Sequence, residues 1–115
     1  MATGLVDEHL DALFTALSDR TRRDIVARLS TGEATVKELA EPYAMSLQAV
    51  SQHIRVLERS GLISQGRLRQ TRPCRLEPAA LETALSWIEE SRRTWSDRMD
   101  RLETHLAQVQ EREDG

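Results

Sequence analysis

Apolar residues in the first 60 positions recur at steps of three and four, a spacing that places them along one face of a helix. We therefore predict four short helices, the first of which stops near Ser18-Asp19. Gly32 and Gly61 follow the second and fourth apolar stripes, where glycine commonly ends a helix. The four stripes are Val6, Leu10, Leu13, Phe14 and Leu17; Ile25, Val26 and Leu29; Leu39 and Ala40; and Leu47, Val50, Ile54 and Leu57.

Residues that cap helices stand where three of these stripes begin. Asp19 and Ser46 are the predicted N-caps of the second and fourth helices, because their side-chain oxygens accept hydrogen bonds from free backbone amides. Thr35 and Glu38 have capping-box spacing, in which each side chain accepts from the amide of the other residue. Pro42 should end the short third helix. The third and fourth helices would then form a helix-turn-helix over residues 35–60.

The sequence after Gly61 predicts a small β-hairpin. Leu62-Ile63-Ser64 and residues 72–76 are interpreted as two short strands. The loop that joins them carries Gly66, Arg67 and Arg69. This hairpin, over residues 62–76, would form a wing beside the helix-turn-helix.

The last segment, residues 78–110, is predicted to be helical because Pro78 is tolerated in a first turn and no further Pro or Gly occurs before Gly115. Its apolar residues form a heptad-like seam. A helix of about 30 residues is about 45 Å long, more than a domain of this size can cover, so part of the seam should contact another chain. A break somewhere between Trp87 and Trp95 is also compatible with the pattern. The seam comprises Leu81, Leu85, Ile88, Arg92, Trp95, Met99, Leu102, Leu106 and Val109.

Composition agrees with one mainly α-helical domain over residues 1–115 with a small β-hairpin wing. Charged residues make up 30% of the chain and aromatic residues only 3%, which is typical of helical surfaces. Neither a membrane-spanning run nor a signal-peptide pattern is evident at the start MATGLVDEHL, so a cytoplasmic protein is expected. The lone Cys74 cannot form an internal disulfide, in agreement with a reducing compartment.

The charge of the chain is segregated. The net charge is −3, yet residues 46–75 carry six basic side chains and one acidic side chain. Binding to phosphates depends on the charges that face the ligand, so an acidic remainder does not prevent contact with a nucleic acid. The middle third of the chain is therefore a candidate DNA-binding region.

The fourth helix has the polar face that reading of the DNA major groove requires. Gln48, Gln52 and Arg55 lie opposite its apolar stripe, and amide and guanidinium groups can make paired hydrogen bonds to base edges. Ser46 and the helix N-terminus could hold a phosphate. We expect DNA contacts from Ser46, Gln48, Ala49, Ser51, Gln52, His53, Arg55, Arg67, Arg69 and Arg72.

Two segments of the chain resemble the ArsR/SmtB-type winged-helix repressors. They are LFTALSDRTRRDIVARLSTGEATVKELAEPYAMSLQAVSQHIRVLERSGLI and WIEESRRTWSDRMDRLETHL. The resemblance implies a homodimer that binds a roughly palindromic operator in double-stranded DNA, pairs through its first and last helices, and represses transcription. The expected dimer contacts are Leu10, Leu13, Leu81, Leu85, Ile88, Trp95, Met99, Leu102 and Leu106.

The family's metal-binding patterns are incomplete in this chain. Metal-sensing members carry cysteines in the third helix, where residues 36–44 contain none. Others carry Asp-x-His and His-x-x-Glu on the last helix. Here Met99 stands two positions after Asp97, and Gln108 stands three positions after His105, so each pattern lacks one ligand. The chain therefore resembles the metal-independent SdpR-like branch, and we expect neither metal nor cofactor.

Several alternatives stay open. The polar face of the fourth helix could be only a solvated surface, and the winged helix could bind a protein instead of DNA. His53 could either reach a phosphate or pack at the edge of its helix. Cys74 could make the protein a thiol-responsive sensor, although a small apolar filler is favoured. A repressor that responds to a small ligand is also compatible with the pattern.

An enzyme is disfavoured. Ser51 and His53 would lie about 200° apart around their helix, so they cannot form a nucleophile and base pair. The sequence also shows no glycine-rich phosphate loop.

Overall fold

The computed structural model describes residues 2–66 and 72–114, with the side chains of residues 8–66 and 72–114. The chain divides into two compact units, residues 1–84 and residues 85–115. The elements are α1 (Ala2–Leu17), α2 (Arg20–Leu29), α3 (Val36–Ala40), α4 (Leu47–Arg59), β1 (Ile63–Gln65), β2 (Cys74–Leu76) and α5 (Pro78–Asp114). This confirms the predicted fold class of a mainly α-helical winged helix-turn-helix with a small hairpin.

The helix starts are set by the predicted caps. Asp19 accepts a hydrogen bond from the amide of Arg22 at 3.0 Å. Ser46 accepts from the amide of Ala49 at 3.1 Å. In the capping box, Thr35 Oγ1 accepts from the amide of Glu38 at 3.2 Å, and Glu38 Oε1 accepts from the amide of Thr35 at 3.1 Å. These local bonds fix the residues at which α2, α3 and α4 begin.

The wing is a two-stranded antiparallel sheet in which Ile63 pairs with Leu76 and Gln65 with Cys74. Strand β1 begins and ends one residue later than the sequence pattern predicted, and β2 begins two residues later but ends at the predicted Leu76. Cys74 also exchanges two backbone hydrogen bonds with Ala34, of 2.7 and 3.2 Å, which tie the hairpin to the segment before α3. Arg72 adopts a positive φ of 31°, uncommon for a residue other than glycine, just before Pro73. Arg67 and Arg69 lie outside the described residues.

The core of the first unit is assembled from all its helices and the hairpin. It confirms the apolar stripes of α2 and most of α4, but two expectations are corrected. Leu10 and Leu13 were expected at a dimer interface and are instead buried in the core of their own chain, because α1 packs this face on α2 and α4. Leu47 was placed on the apolar stripe of α4 but is 55% exposed. The largest fully buried side chains are Leu13, Ile25, Leu39, Val50, Ile54, Leu57, Leu62, Ile63 and Cys74.

Helix α5 is continuous from Pro78 to Asp114, so the break considered near Trp87 and Trp95 does not occur. Leu81, which was expected at the dimer interface, is half-buried and packs against the core of the first unit. Arg92 forms an ion pair with Glu89 of the same helix at 3.1 Å. Beyond residue 84 the apolar seam is exposed. Its exposed members are Leu85, Ile88, Trp95, Met99, Leu102, Leu106 and Val109. No helix among the described residues is long and apolar enough to cross a membrane.

Candidate nucleic-acid interface

Helix α4 presents a narrow polar face to solvent. Gln48, Gln52, Arg55 and Arg59 are all exposed, and at 100° per residue they lie within an arc of about 60°. The opposite side of α4 is fully buried through Val50, Ile54 and Leu57. The backbone of α4 is therefore anchored in the core, and the residues that carry the donors start from fixed backbone positions along one line. An arrangement of this kind can meet base edges in a major groove.

A cleft of about 500 Å³ flanks this face on the side of the wing. It brings together Ser51, Arg55 and Arg72, three residues that the sequence analysis had assigned to DNA contact, with Lys37 of α3. Lys37 was missed by the sequence analysis. Only the turn length between α3 and α4, which folds α3 beside the start of α4, could have indicated it. The cleft is lined by Thr35, Val36, Lys37, Leu47, Ser51, Ile54, Arg55, Gln65 and Arg72.

His53 lies on the other flank of α4, where it contacts Arg22 in the first turn of α2. Arg22 Nη1 lies 3.2 Å from His53 Nδ1. Because a guanidinium group only donates, Nδ1 must accept, and the neutral imidazole then carries its proton on Nε2. The same arginine donates to the carbonyls of Ala16 at 2.7 Å and Thr15 at 3.1 Å. Arg22 thus links the end of α1 to the middle of α4.

Asp19 completes this network. Its carboxylate lies 3.8 Å from His53 Nδ1 and accepts from the amide of Arg22. The hydrogen bond from that amide holds the pKa of Asp19 below its ordinary value, and the charge of the nearby Arg22 guanidinium acts in the same direction. His53 is 22% exposed, so it packs at the edge of its helix, one of the two roles considered for it. The proton on Nε2 could still be donated to a phosphate.

A second set of contacts holds α3 against α2 and was also missed by the sequence analysis. Arg28 donates to the carbonyls of Leu39 at 2.8 Å and Glu38 at 3.2 Å, and its guanidinium carbon lies 5.6 Å from the ring centre of Tyr43. Tyr43 donates a hydrogen bond to Asp24. Burial raises the pKa of Tyr43, so the phenol stays protonated as a donor. These contacts fix the turn between α3 and α4.

Cys74 is buried in β2, and burial raises the pKa of its thiol to about 11. The thiol is therefore protonated near neutral pH, and a protonated, inaccessible thiol reacts slowly with oxidants. Among residues 8–66 and 72–114, no three His, Cys, Asp or Glu side chains are grouped so that they could hold a metal ion.

The chain is similar to known regulators of transcription. A family model described as a helix-turn-helix domain matches residues 17–65. The chain is 42% identical to the HTH-type transcriptional regulator Rv2034 of Mycobacterium tuberculosis over 78 residues, which cover 65% of this chain and 73% of the relative. It is 30% identical to the transcriptional repressor SdpR of Bacillus subtilis over 79 residues, which cover 69% and 88%.

A solved structure shows the same fold. The crystal structure of the ArsR family transcriptional regulator RHA00566 superposes with a TM-score of 0.74 at 39% identity, and the match covers 78% of this chain and 93% of that one.

Proposed function

The chain belongs to the ArsR family of winged helix-turn-helix transcriptional regulators, and we propose that it represses transcription by binding a roughly palindromic operator as a homodimer. The observation that carries this proposal is the exposed face of α4. Two amides and two guanidinium groups lie there in one line, and the opposite side of the helix is fully buried. Packing does not account for this face, because none of its side chains contributes to the core.

We assign base reading to the polar face of α4. Gln52 and Gln48 project from the first half of the helix, which enters a major groove most deeply. A glutamine amide can donate to and accept from one adenine, and arginine can donate twice to one guanine. Arg55 and Arg59 extend the same line toward the end of the helix.

Phosphate contacts are assigned to the flanks. Lys37 of α3 and Arg72, which lies in the loop before β2, stand around the cleft beside α4, where they could contact the two sides of one groove. Arg67 and Arg69, which belong to the loop between the strands, are proposed to reach the adjacent backbone. Ser46 would contribute with the start of α4, where the amides of Leu47 and Gln48 precede the first helical hydrogen bond, from Val50 to the carbonyl of Ser46.

The homodimer is supported by the second unit. A row of exposed apolar side chains along a helix is unstable in water and is usually covered by another protein surface. Trp95, Met99, Leu102 and Leu106 repeat at steps of four and three, the spacing that a partner helix requires. A second copy of the chain supplies the same row and gives the twofold symmetry that a palindromic operator matches.

The regulator is proposed to act by binding and not by catalysis. Ser51 lines the cleft on one side of α4, whereas His53 contacts Arg22 on the other side, so they do not form a reactive pair. Since its target is chromosomal, we propose a cytoplasmic location.

A selection experiment with random duplex DNA, followed by binding measurements, tests the proposal. Gln52→Ala should weaken binding to the selected operator by about 1–3 kcal/mol and leave binding to random DNA nearly unchanged, because base contacts set sequence preference. Lys37→Ala should weaken binding to both DNAs. It should also reduce the slope of the logarithm of the binding constant against the logarithm of the salt concentration by about 1 per subunit. Gln108→Ala and Arg93→Ala, on exposed parts of the second unit, are the matched controls.

Two results would contradict the assignment. If no duplex is enriched, the winged helix binds a protein or another ligand. If Gln52→Ala weakens operator and random DNA equally, the base-reading face lies elsewhere on α4.

A further inference from the structure

Leu47 is an apolar residue in an unusual position. It is the first residue of α4, its side chain is 55% exposed, and it belongs neither to the buried core nor to the half-buried side chains that pack against that core. The next apolar residues of the same helix, Val50 and Ile54, are fully buried. Leu47 therefore contributes little to the folding of the first unit, although its spacing matches the apolar stripe.

Leu47 lies on the proposed DNA side, where basic, hydroxyl and apolar side chains meet. Leu47, Ser51 and Arg55 follow one another at steps of four, so they form one edge of the exposed face of α4. All three line the cleft of about 500 Å³ that also holds Lys37. Leu47 also lines an adjoining cleft of about 580 Å³ with Lys37 and Glu41. Of the large apolar side chains that line the first cleft, Leu47 is exposed, whereas Ile54 is only 1% exposed.

A single exposed leucine needs no explanation on most surfaces. At the first turn of a helix that enters the major groove, however, an exposed leucine is placed against base edges. Those edges carry hydrogen-bond donors and acceptors, which a leucine would leave unsatisfied and dehydrated. The one apolar group that a major-groove edge presents is the 5-methyl group of thymine.

We propose that Leu47 determines specificity by packing against a thymine 5-methyl group in each half of the operator. This inference rests on the proposed function, because it requires that α4 lies in the major groove. Leu47 would thus select for thymine at one position, while Gln48 and Gln52 read neighbouring bases by hydrogen bonds.

The test removes the methyl group from the DNA and leaves every hydrogen bond of the base pair intact. A duplex selected from random DNA by the unmodified protein is prepared with deoxyuridine in place of thymine, one position at a time. Replacement at the position that Leu47 contacts should weaken binding about fourfold per half-site, the effect of about one buried methyl group. Replacement at the other thymines should have little effect.

Protein variants then assign the methyl dependence to one side chain. Leu47→Ala should bind the thymine and deoxyuridine duplexes equally, and Leu47→Met, which keeps an apolar side chain of similar size, should retain the difference. Gln48→Ala serves as the matched control, because it should lose affinity for both duplexes and keep the fourfold difference. Thermal unfolding of Leu47→Ala should match that of the unmodified protein, since Leu47 lies outside the core.

The possible results separate this inference from the proposed function. If no duplex is selected, the proposed function is wrong, and the role of Leu47 in DNA recognition is overturned with it. If a duplex is bound with the same affinity at every deoxyuridine substitution, or if Leu47→Ala keeps the methyl dependence, DNA binding stands and the role of Leu47 is overturned.

Discussion

The two units of the chain use the same kind of amphipathic helix in opposite ways. In residues 8–66 and 72–84 the large apolar side chains are mostly buried, with Phe14 and Leu47 as exposed exceptions. Beyond residue 84 the apolar seam of α5 is exposed, with Trp95 at 63% and Leu102 at 48%. Several short elements can cover one another, whereas one helix has no second surface on which to close. The first unit buries its apolar faces within the chain, whereas we propose that a partner covers the exposed seam of the second unit.

The largest effect expected from this difference concerns the core. Leu13→Ala removes a fully buried side chain and should lower the free energy of unfolding by about 2–5 kcal/mol at any protein concentration. The same change at Leu102 should cost less than about 0.5 kcal/mol under conditions in which the chain is monomeric, since that side chain is already half exposed. Urea denaturation of both variants at low protein concentration measures the two values. Equal losses would mean that α5 is covered within its own chain.

The second effect concerns association. Trp95→Glu places a charge on the exposed seam and should raise the dissociation constant of the dimer about 100-fold, which corresponds to about 2.7 kcal/mol. Thr104→Glu introduces the same charge about 180° around the helix and should leave association unchanged. Sedimentation velocity over a range of micromolar concentrations compares the variants. A monomeric unmodified protein in that range would remove the basis for a partner on α5.

A third, smaller effect lies inside the first unit, at the link between α1 and α4. Arg22→Ala removes hydrogen bonds to two carbonyls and to His53, and we expect a loss of about 1–2 kcal/mol in unfolding free energy. Arg23→Ala is the control, because Arg23 makes one exposed bond to the carbonyl of Leu17 and should cost less than about 0.5 kcal/mol. Similar losses in the two variants would show that His53 is not held by Arg22.

Local patterns were sufficient to predict most of the first unit. The caps at Asp19, Thr35 and Ser46 were found because N-cap bonds are formed between residues three positions apart. Contacts between distant segments were not predictable in this way. Arg22 contacts His53, 31 positions away, and Arg28 contacts the end of α3, 11 positions away. The sequence pattern around an arginine does not indicate which distant residue it contacts.

The errors in the sequence interpretation also have a physical origin. Spacing places Leu13 and Leu102 equally well on apolar faces, but it does not say whether the surface opposite them belongs to the same chain. Leu13 was therefore assigned to the interface although α2 and α4 cover it. Leu47 has the spacing of a core residue, yet it is the first residue of α4 and lines a cleft beside α3 instead of the core.

A fourth prediction concerns acid. The pKa of Asp19 is lowered in the folded chain, first by the amide of Arg22, so its carboxylate stabilises the fold above the pKa of the unfolded chain. That contribution disappears as the pH falls through the folded value. Asp19→Asn, which can still cap α2, should therefore be less stable than the unmodified protein at pH 7, by less than about 0.5 kcal/mol, and equally stable once the pH lies below the folded pKa of Asp19. Urea denaturation across this pH range checks the convergence, and a gap that widens toward acid would contradict it.

The smallest effect is expected from metals. Asp97 and His105 stand on the exposed part of α5, each without the second ligand that a complete site would need on the same helix. Cys74 is buried in β2 and is protonated near neutral pH, so it is a poor zinc ligand. Stoichiometric zinc or a chelator should thus change operator affinity by less than about threefold. Electrophoretic titration with and without zinc measures this, and His105→Ala tests for a site shared between two copies. A tenfold change with zinc, about 1.4 kcal/mol, that disappears in His105→Ala would show that dimerisation through α5 builds a metal site that neither chain holds alone.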